Sequence, residues 1–186
     1  MLRLADSLED AARQRQSQLI RADITDGEFR IHMVSPSNPH GVIVMRVGVQ
    51  ISRQDPGAVV SVENRIHHPG VGMVRTPDLI VMSQEAFEGQ EDDYAVFAPD
   101  IALAVEVVSH SNPGNDYVAK LRDYPRMGVP VYMIIDPREG TASVHSSLGT
   151  TSGQPGYAET ARCGSGGTVR AADWDIDTTG FPRYRS

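Results

Sequence analysis

Ile101-Ala-Leu-Ala-Val-Glu106-Val-Val108 is an apolar run of strand length, bounded by Pro99 on one side and by Ser109 to Pro113 on the other. Upstream, Asp78-Leu-Ile-Val-Met82 reads as a second strand, entered through Pro77. Between the two lies an acidic stretch, Glu85 to Asp93, expected to form a loop. Downstream, Asn115 to Met127 predicts a helix that closes before Gly128, and Val131 to Ile135 predicts another apolar strand. Strands followed by a helix and a further strand indicate an α/β fold with a mixed β-sheet flanked by helices.

The flanks extend this pattern. Residues Ser7 to Ile20 read as an amphipathic helix ending near Asp23, and Thr25-Asp26-Gly27 as a turn into an alternating strand from Glu28 to Val34. A helix is predicted from His40 to Arg53 and a strand from Ala58 to Ile66. From Thr141 onward, short segments such as Ala142 to Ser146 and Tyr157 to Ala161 alternate with Gly/Ser-rich turns, which predicts additional antiparallel strands.

With 186 residues, 40% hydrophobic and 22% charged, the sequence has the composition of a globular protein and the length of one domain, 1–186. The start, Met1-Leu2-Arg3 followed by Asp6, Glu9 and Asp10, lacks a signal-peptide core, and no apolar run is long enough to span a bilayer. These features predict a cytoplasmic protein without membrane contact. The lone Cys163 supplies no internal disulfide and no zinc cluster. A formal net charge of −7 argues against a large, sequence-independent nucleic-acid surface while leaving room for a local site. Phosphate contacts are then expected from arginines such as Arg75 and Arg122.

Two residues stand out chemically. Glu106 puts a carboxylate inside a buried strand, which costs several kcal/mol unless the group is paired, protonated or bound to a cation. Strand parity sets it on the face of Ala102 and Ala104, and if the two strands pair, Asp78 converges on the same point. Two acids, water and a substrate phosphate are a usual setting for Mg²⁺. Lys120 is the only lysine among 17 basic residues, in a chain that otherwise uses arginine. An ammonium is a compact point charge that fits where a guanidinium fork does not. Its spacing from Asp116 also allows an ordinary i,i+4 surface pair.

These residues resemble the metal-binding part of the PD-(D/E)XK nuclease superfamily: Pro77-Asp78, then Glu106 on the next strand. More closely, the run from Pro99-Asp100 through Glu106, Asp116, Lys120 and Tyr124, continued by Gly128-Val-Pro-Val-Tyr132 to Asp136-Pro137, is similar to the Uma-type restriction endonucleases. Asp23-Ile-Thr-Asp26-Gly27-Glu28, with Pro36 and His40, resembles that family's N-terminal pattern. The resemblance covers about residues 20–137 and more weakly the tail, including Phe181-Pro182, which makes 138–186 a C-terminal β extension of a restriction-endonuclease-like core. It implies that Asp78, Glu106 and the backbone carbonyl of Val107 hold a divalent ion, Mg²⁺ with Mn²⁺ as a substitute, and that Lys120 orients water or stabilises charge on the phosphate. Position 108, where the superfamily usually carries its lysine, is Val108; the Uma-type family moves the ammonium to the following helix. The family's N-terminal acid is usually Glu, and Asp23 stands in its place, either near the metal or as a turn residue.

Other positions have two readings each. Tyr124 supports the lysine or a phosphate, or packs its helix on the sheet. Asp116 caps the helix or touches Lys120. A turn role is expected for Asp100, and a structural one for His40. His67 and His68 are adjacent and cannot share one metal if they lie on a strand. The expected activity is metal-dependent hydrolysis of phosphodiester bonds in DNA, with a homodimer suited to cutting both strands. The alternatives are a nuclease-fold nucleic-acid-binding or regulatory protein that does not turn over, and a hydrolase using two carboxylates, which would not require Lys120.

Overall fold

The computed structural model describes residues 19–34, 37–90, 94–109, 113–151 and 153–184. A six-stranded mixed sheet forms the centre. Its strands are β3 (Ala58–Val62), β6 (Leu79–Ser83), β8 (Ile101–Val107), β9 (Tyr132–Asp136), β10 (Thr141–Thr151) and β11 (Gln154–Gly164), in the order β11-β10-β9-β8-β6-β3. β8 pairs antiparallel with β6 and parallel with β9. A parallel pair requires a crossover. The crossover is the predicted helix, built as a π-helical turn (Asn115–Lys120) followed by α3 (Leu121–Arg126).

A central strand is covered on both faces, which explains the almost continuous apolar run of β8. On one face Leu79, Val81, Leu103, Val105, Val107, Met133 and Ile135 pack against Ile43, Val44, Val47 and Ile51 of α1 (Asn38–Gln54). On the other face Ile80, Met82, Ala104 and Ile134 pack with Tyr124 and Tyr132. Gly48 permits the close approach of α1: a Cβ there would meet Val60 Cγ1 at 3.3 Å and Leu79 Cδ1 at 3.4 Å.

A second, five-stranded sheet has the order β2-β1-β5-β4-β7, from β1 (Leu19–Thr25), β2 (Glu28–Val34), β4 (Ile66–His68), β5 (Met73–Arg75) and β7 (Val96–Phe97). β1 and β2 form a hairpin whose turn residues Asp26 and Gly27 have φ of 49° and 79°, matching the predicted turn. The last strands, β12 (Thr168–Ala171) and β13 (Trp174–Asp177), make a hairpin fastened to α1 by side-chain amides. Gln50 and Gln54 each pair with the backbone of β13, accepting from the N–H of Asp177 at 2.8 Å and of Asp175 at 2.9 Å. They donate to the carbonyls of the same residues at 3.0 and 2.8 Å.

Several expectations are corrected. Residues 7–18 of the predicted first helix lie outside the described residues, and Leu19 and Ile20 belong to β1, where Ile20, Ala22 and Ile24 alternate along a strand. The strand expected from Ala58 to Ile66 divides between the two sheets, broken at Glu63, whose φ is 55°. In the acidic stretch, residues 84–88 form α2 (Gln84–Glu88) where a loop is expected, while 91–93 lie outside the described residues; the N-terminus of α2 is capped by Ser83 Oγ, which accepts from Ala86 N at 3.1 Å.

Candidate active site

Asp78 and Glu106 meet through strand pairing. Leu79 lies opposite Val105, so the next residues on each strand fall side by side at the end of the β6/β8 pair. The main chain fixes this junction: Asp78 Oδ2 accepts the N–H of Val107 at 2.8 Å. The same oxygen lies 3.2 Å from Nε2 of His40, in the first turn of α1.

Alternation along β8 turns Val105 and Val107 toward α1, and Ala104 and Glu106 toward α3. There the Tyr124 hydroxyl donates to Glu106 Oε1 at 2.5 Å. Lys120 Nζ lies 2.7 Å from Glu106 Oε2 and 3.1 Å from Asp116 Oδ1. Glu106 is only 1% exposed and Lys120 5%, so this is a buried charge cluster and not a surface pair. Asp116 does not cap the helix: it lies inside it, after the helical residues Pro113 and Gly114. Tyr132 anchors that turn by donating to the Asp116 carbonyl at 3.0 Å, and its ring meets that of Tyr124 edge-on at 4.7 Å.

Three carboxylates, Asp78, Glu106 and Asp116, surround one ammonium. Burial pushes the Glu106 carboxyl up to about 8, with Asp78 and Asp116 adding to the rise and Lys120 opposing it. Asp116 is raised for the same first reason. Burial alone would lower Lys120, but Glu106 and Asp116 outweigh it and hold the ammonium above its ordinary range. Burial and the neighbouring Glu106 carboxylate both raise Tyr124, which therefore serves as a hydroxyl donor.

The remaining expected residues are placed as follows. Asp23 accepts from Arg75 Nη1 at 2.9 Å, and Arg75 also pairs with Asp123. Arg75 is fully buried, which corrects its expected role as a phosphate contact: its charge is spent between two carboxylates inside the protein. Arg122 is half exposed and bonds Asp123 through Nε at 2.8 Å. Asp100 accepts from Gln90 Nε2 at 3.0 Å in the turn before β8, as its expected turn role requires. His67 and His68 pack on Phe97, with ring centroids 6.1 and 5.3 Å away.

The Uma2 family, described as "Putative restriction endonuclease", matches residues 7–162. The chain belongs to the Uma2 family. Its fold agrees with that of a solved structure described as "a putative nuclease belonging to DUF820 from Anabaena variabilis". That match has a TM-score of 0.65 at 16% identity and covers 85% of this Uma2 chain and 87% of the other. No curated protein matches this Uma2 chain.

Sequence reasoning gives His40 a structural role and Arg75 a phosphate contact, and anticipates neither the bond of His40 to Asp78 nor those of Arg75 to Asp23 and Asp123. For Arg75, the signal was its position three residues before Asp78 in a stretch that is buried throughout. For His40 the signal was its place with Pro36 in the family-like N-terminal pattern, while its partner, Asp78, lies 38 positions later and beyond any local reading.

Proposed function

We propose that this Uma2 protein is a metal-dependent endonuclease that hydrolyses phosphodiester bonds in DNA, with Asp78, Glu106 and Lys120 as its catalytic residues. The observation that carries this reading is the buried contact between Lys120 and Glu106 beside Asp78, in a cluster with more negative than positive charge. Among the described residues no group of three or more His, Cys, Asp or Glu side chains is set to hold a metal. Two carboxylates on adjacent strand ends still suit Mg²⁺, a hard cation that takes oxygen donors and keeps several waters. Asp78 and Glu106 would hold it, with the carbonyl of Val107 as a third donor. When bound, such an ion supplies Lewis acidity and lowers the pKa of water.

The chain's own residues have separable tasks. Asp78 is oriented by the Val107 N–H and by His40. Tyr124 fixes one oxygen of Glu106 and Lys120 the other. Because Lys120 retains its proton, it serves as a fixed positive charge for a phosphate in its transition state and not as a general base. Asp116 holds the ammonium from the opposite side, and Asp23 adds to its stabilisation from further away. In this reading the protein is a single restriction-endonuclease-like domain, works in the cytoplasm and forms a homodimer where both strands are cut.

The test is single-turnover cleavage of supercoiled plasmid and short duplex DNA with Mg²⁺, Mn²⁺ or EDTA, comparing wild type with Asp78→Asn and Glu106→Gln. Metal-dependent cleavage lost in both variants is expected. A folded wild type inactive on every DNA would overturn the reading in favour of a nuclease-fold binding protein, which the depth of Glu106 also favours.

A further inference from the structure

Lys120 and Tyr124 both reach Glu106 from one short segment. The segment has little intrinsic stability: its helical residues, 113–126, include a π-helical turn and Pro125. A helix this short depends on tertiary contacts for its position. Between Lys120 and the C-terminus of α3, two successive side chains point to different partners. Tyr124 goes to Glu106 in the large sheet, and Asp123 goes to Arg75 in the small one. Asp123 is itself fully buried, and Arg75 carries a second bond to Asp23 of β1 at 2.9 Å. The guanidinium thus ties β1, β5 and α3 together at a point sealed from solvent, where ion pairs are little screened.

We propose that Arg75 is a positioning residue of the site, a guanidinium clamp that sets α3 so that Lys120 meets Glu106. The role rests on the proposed nuclease function for its purpose, though not for its geometry. It requires a fork that bonds two carboxylates at once, which a point charge does not match. Arg122 and Arg126 also contact Asp123, at 2.8 and 3.6 Å, but from the exposed side and from α3 itself. Both also reach Asp26 in the β1–β2 turn, at 3.5 and 2.7 Å, so Arg75 is the fully buried one of three arginines that link Asp123 to the small sheet.

Lys120 is the sole lysine, so its acylation by an amine-reactive ester, read by mass spectrometry, follows this one side chain with the N-terminal amine as reference. In wild type the reaction should be slow. In Arg75→Gln and Asp123→Asn it should be about tenfold faster or more, because a displaced α3 no longer keeps the amine enclosed against Glu106. Ile51→Ala, in the core on the opposite face, lowers the melting temperature without touching the clamp and should leave the rate unchanged. In parallel, single-turnover cleavage should slow in the two clamp variants while DNA affinity stays constant.

Unaltered acylation in a folded clamp variant, or an equal rise in Ile51→Ala, would overturn the clamp. If Arg75→Gln fails to fold, Asp123→Asn decides; if neither folds, Arg75 is a requirement of the fold and the positioning role is wrong. Faster acylation beside a wild type that cuts no DNA would uphold the clamp and overturn the nuclease reading instead.

Discussion

Nζ of Lys120 lies 2.7 Å from Oε2 of Glu106, with both side chains almost wholly enclosed. The chain's one lysine is therefore fitted into a buried ion pair. A guanidinium placed there would be wider than the contact it replaces. Lys120→Arg should keep the fold and lose cleavage, since an error of about 1 Å at such a site costs roughly a hundredfold in rate. Single-turnover rates with melting curves as a folding control test this, and full activity in Lys120→Arg would remove the case for a dedicated ammonium.

Divalent binding is predicted to appear as stability. Mg²⁺ or Mn²⁺ should raise the melting temperature of wild type, because a ligand of the folded state stabilises it by linkage. Asp78→Ala and Glu106→Ala should each abolish the rise. If both retain it, the metal lies elsewhere.

The protonation of Glu106 sets a pH dependence in metal-free buffer. Its carboxyl moves from 4.5 in the unfolded chain to about 8 in the folded one, so the folded state binds the proton more tightly. Stability from this group is complete below about 4.5 and is lost as pH rises toward 8. Glu106→Gln cannot titrate, so its stability relative to wild type should increase across that interval. Urea unfolding of both proteins at several pH values measures the difference; if variant minus wild type stays constant or falls as pH rises, the assignment is wrong.

Gln50→Ala should destabilise the protein by about 1–3 kcal/mol, since two hydrogen bonds to β13 are lost and each contributes roughly 0.5–1.5 kcal/mol. Urea unfolding provides the value. A cost near zero would mean that the C-terminal hairpin is held by apolar packing alone.

DNA binding should be weak and fall steeply with salt, given a net charge of −7 and the withdrawal of Arg75 from the surface. Fluorescence anisotropy of a labelled duplex between low and high salt reads the slope. A flat response would point to contacts that do not involve phosphate.

The sheet was legible in the sequence because the central strands are buried on both faces and so appear as apolar runs. β8 and β9 were found for that reason. The adjacency of Asp78 and Glu106 followed from the same pairing. Arg75 was misread because charge normally signals exposure, and its burial depends on carboxylates 52 and 48 positions away. The first strand was missed because Leu19 to Thr25 is too short for its period to separate from a preceding helical pattern. No composition rule distinguishes a π-helical turn from an α-helix, so the lysine's segment was placed correctly but its internal geometry was not.

The bonding of Gln50 and Gln54 to β13 has a consequence for synthesis on the ribosome. These amides join residues 121 and 127 positions apart in the chain. Translation delivers α1 long before the hairpin that completes its surroundings. Contacts of such sequence separation are slow to form. The nascent protein must therefore carry α1 with its outer amides hydrated until β13 emerges, and termination ahead of Asp177 would strand a folded sheet with an unfinished flank.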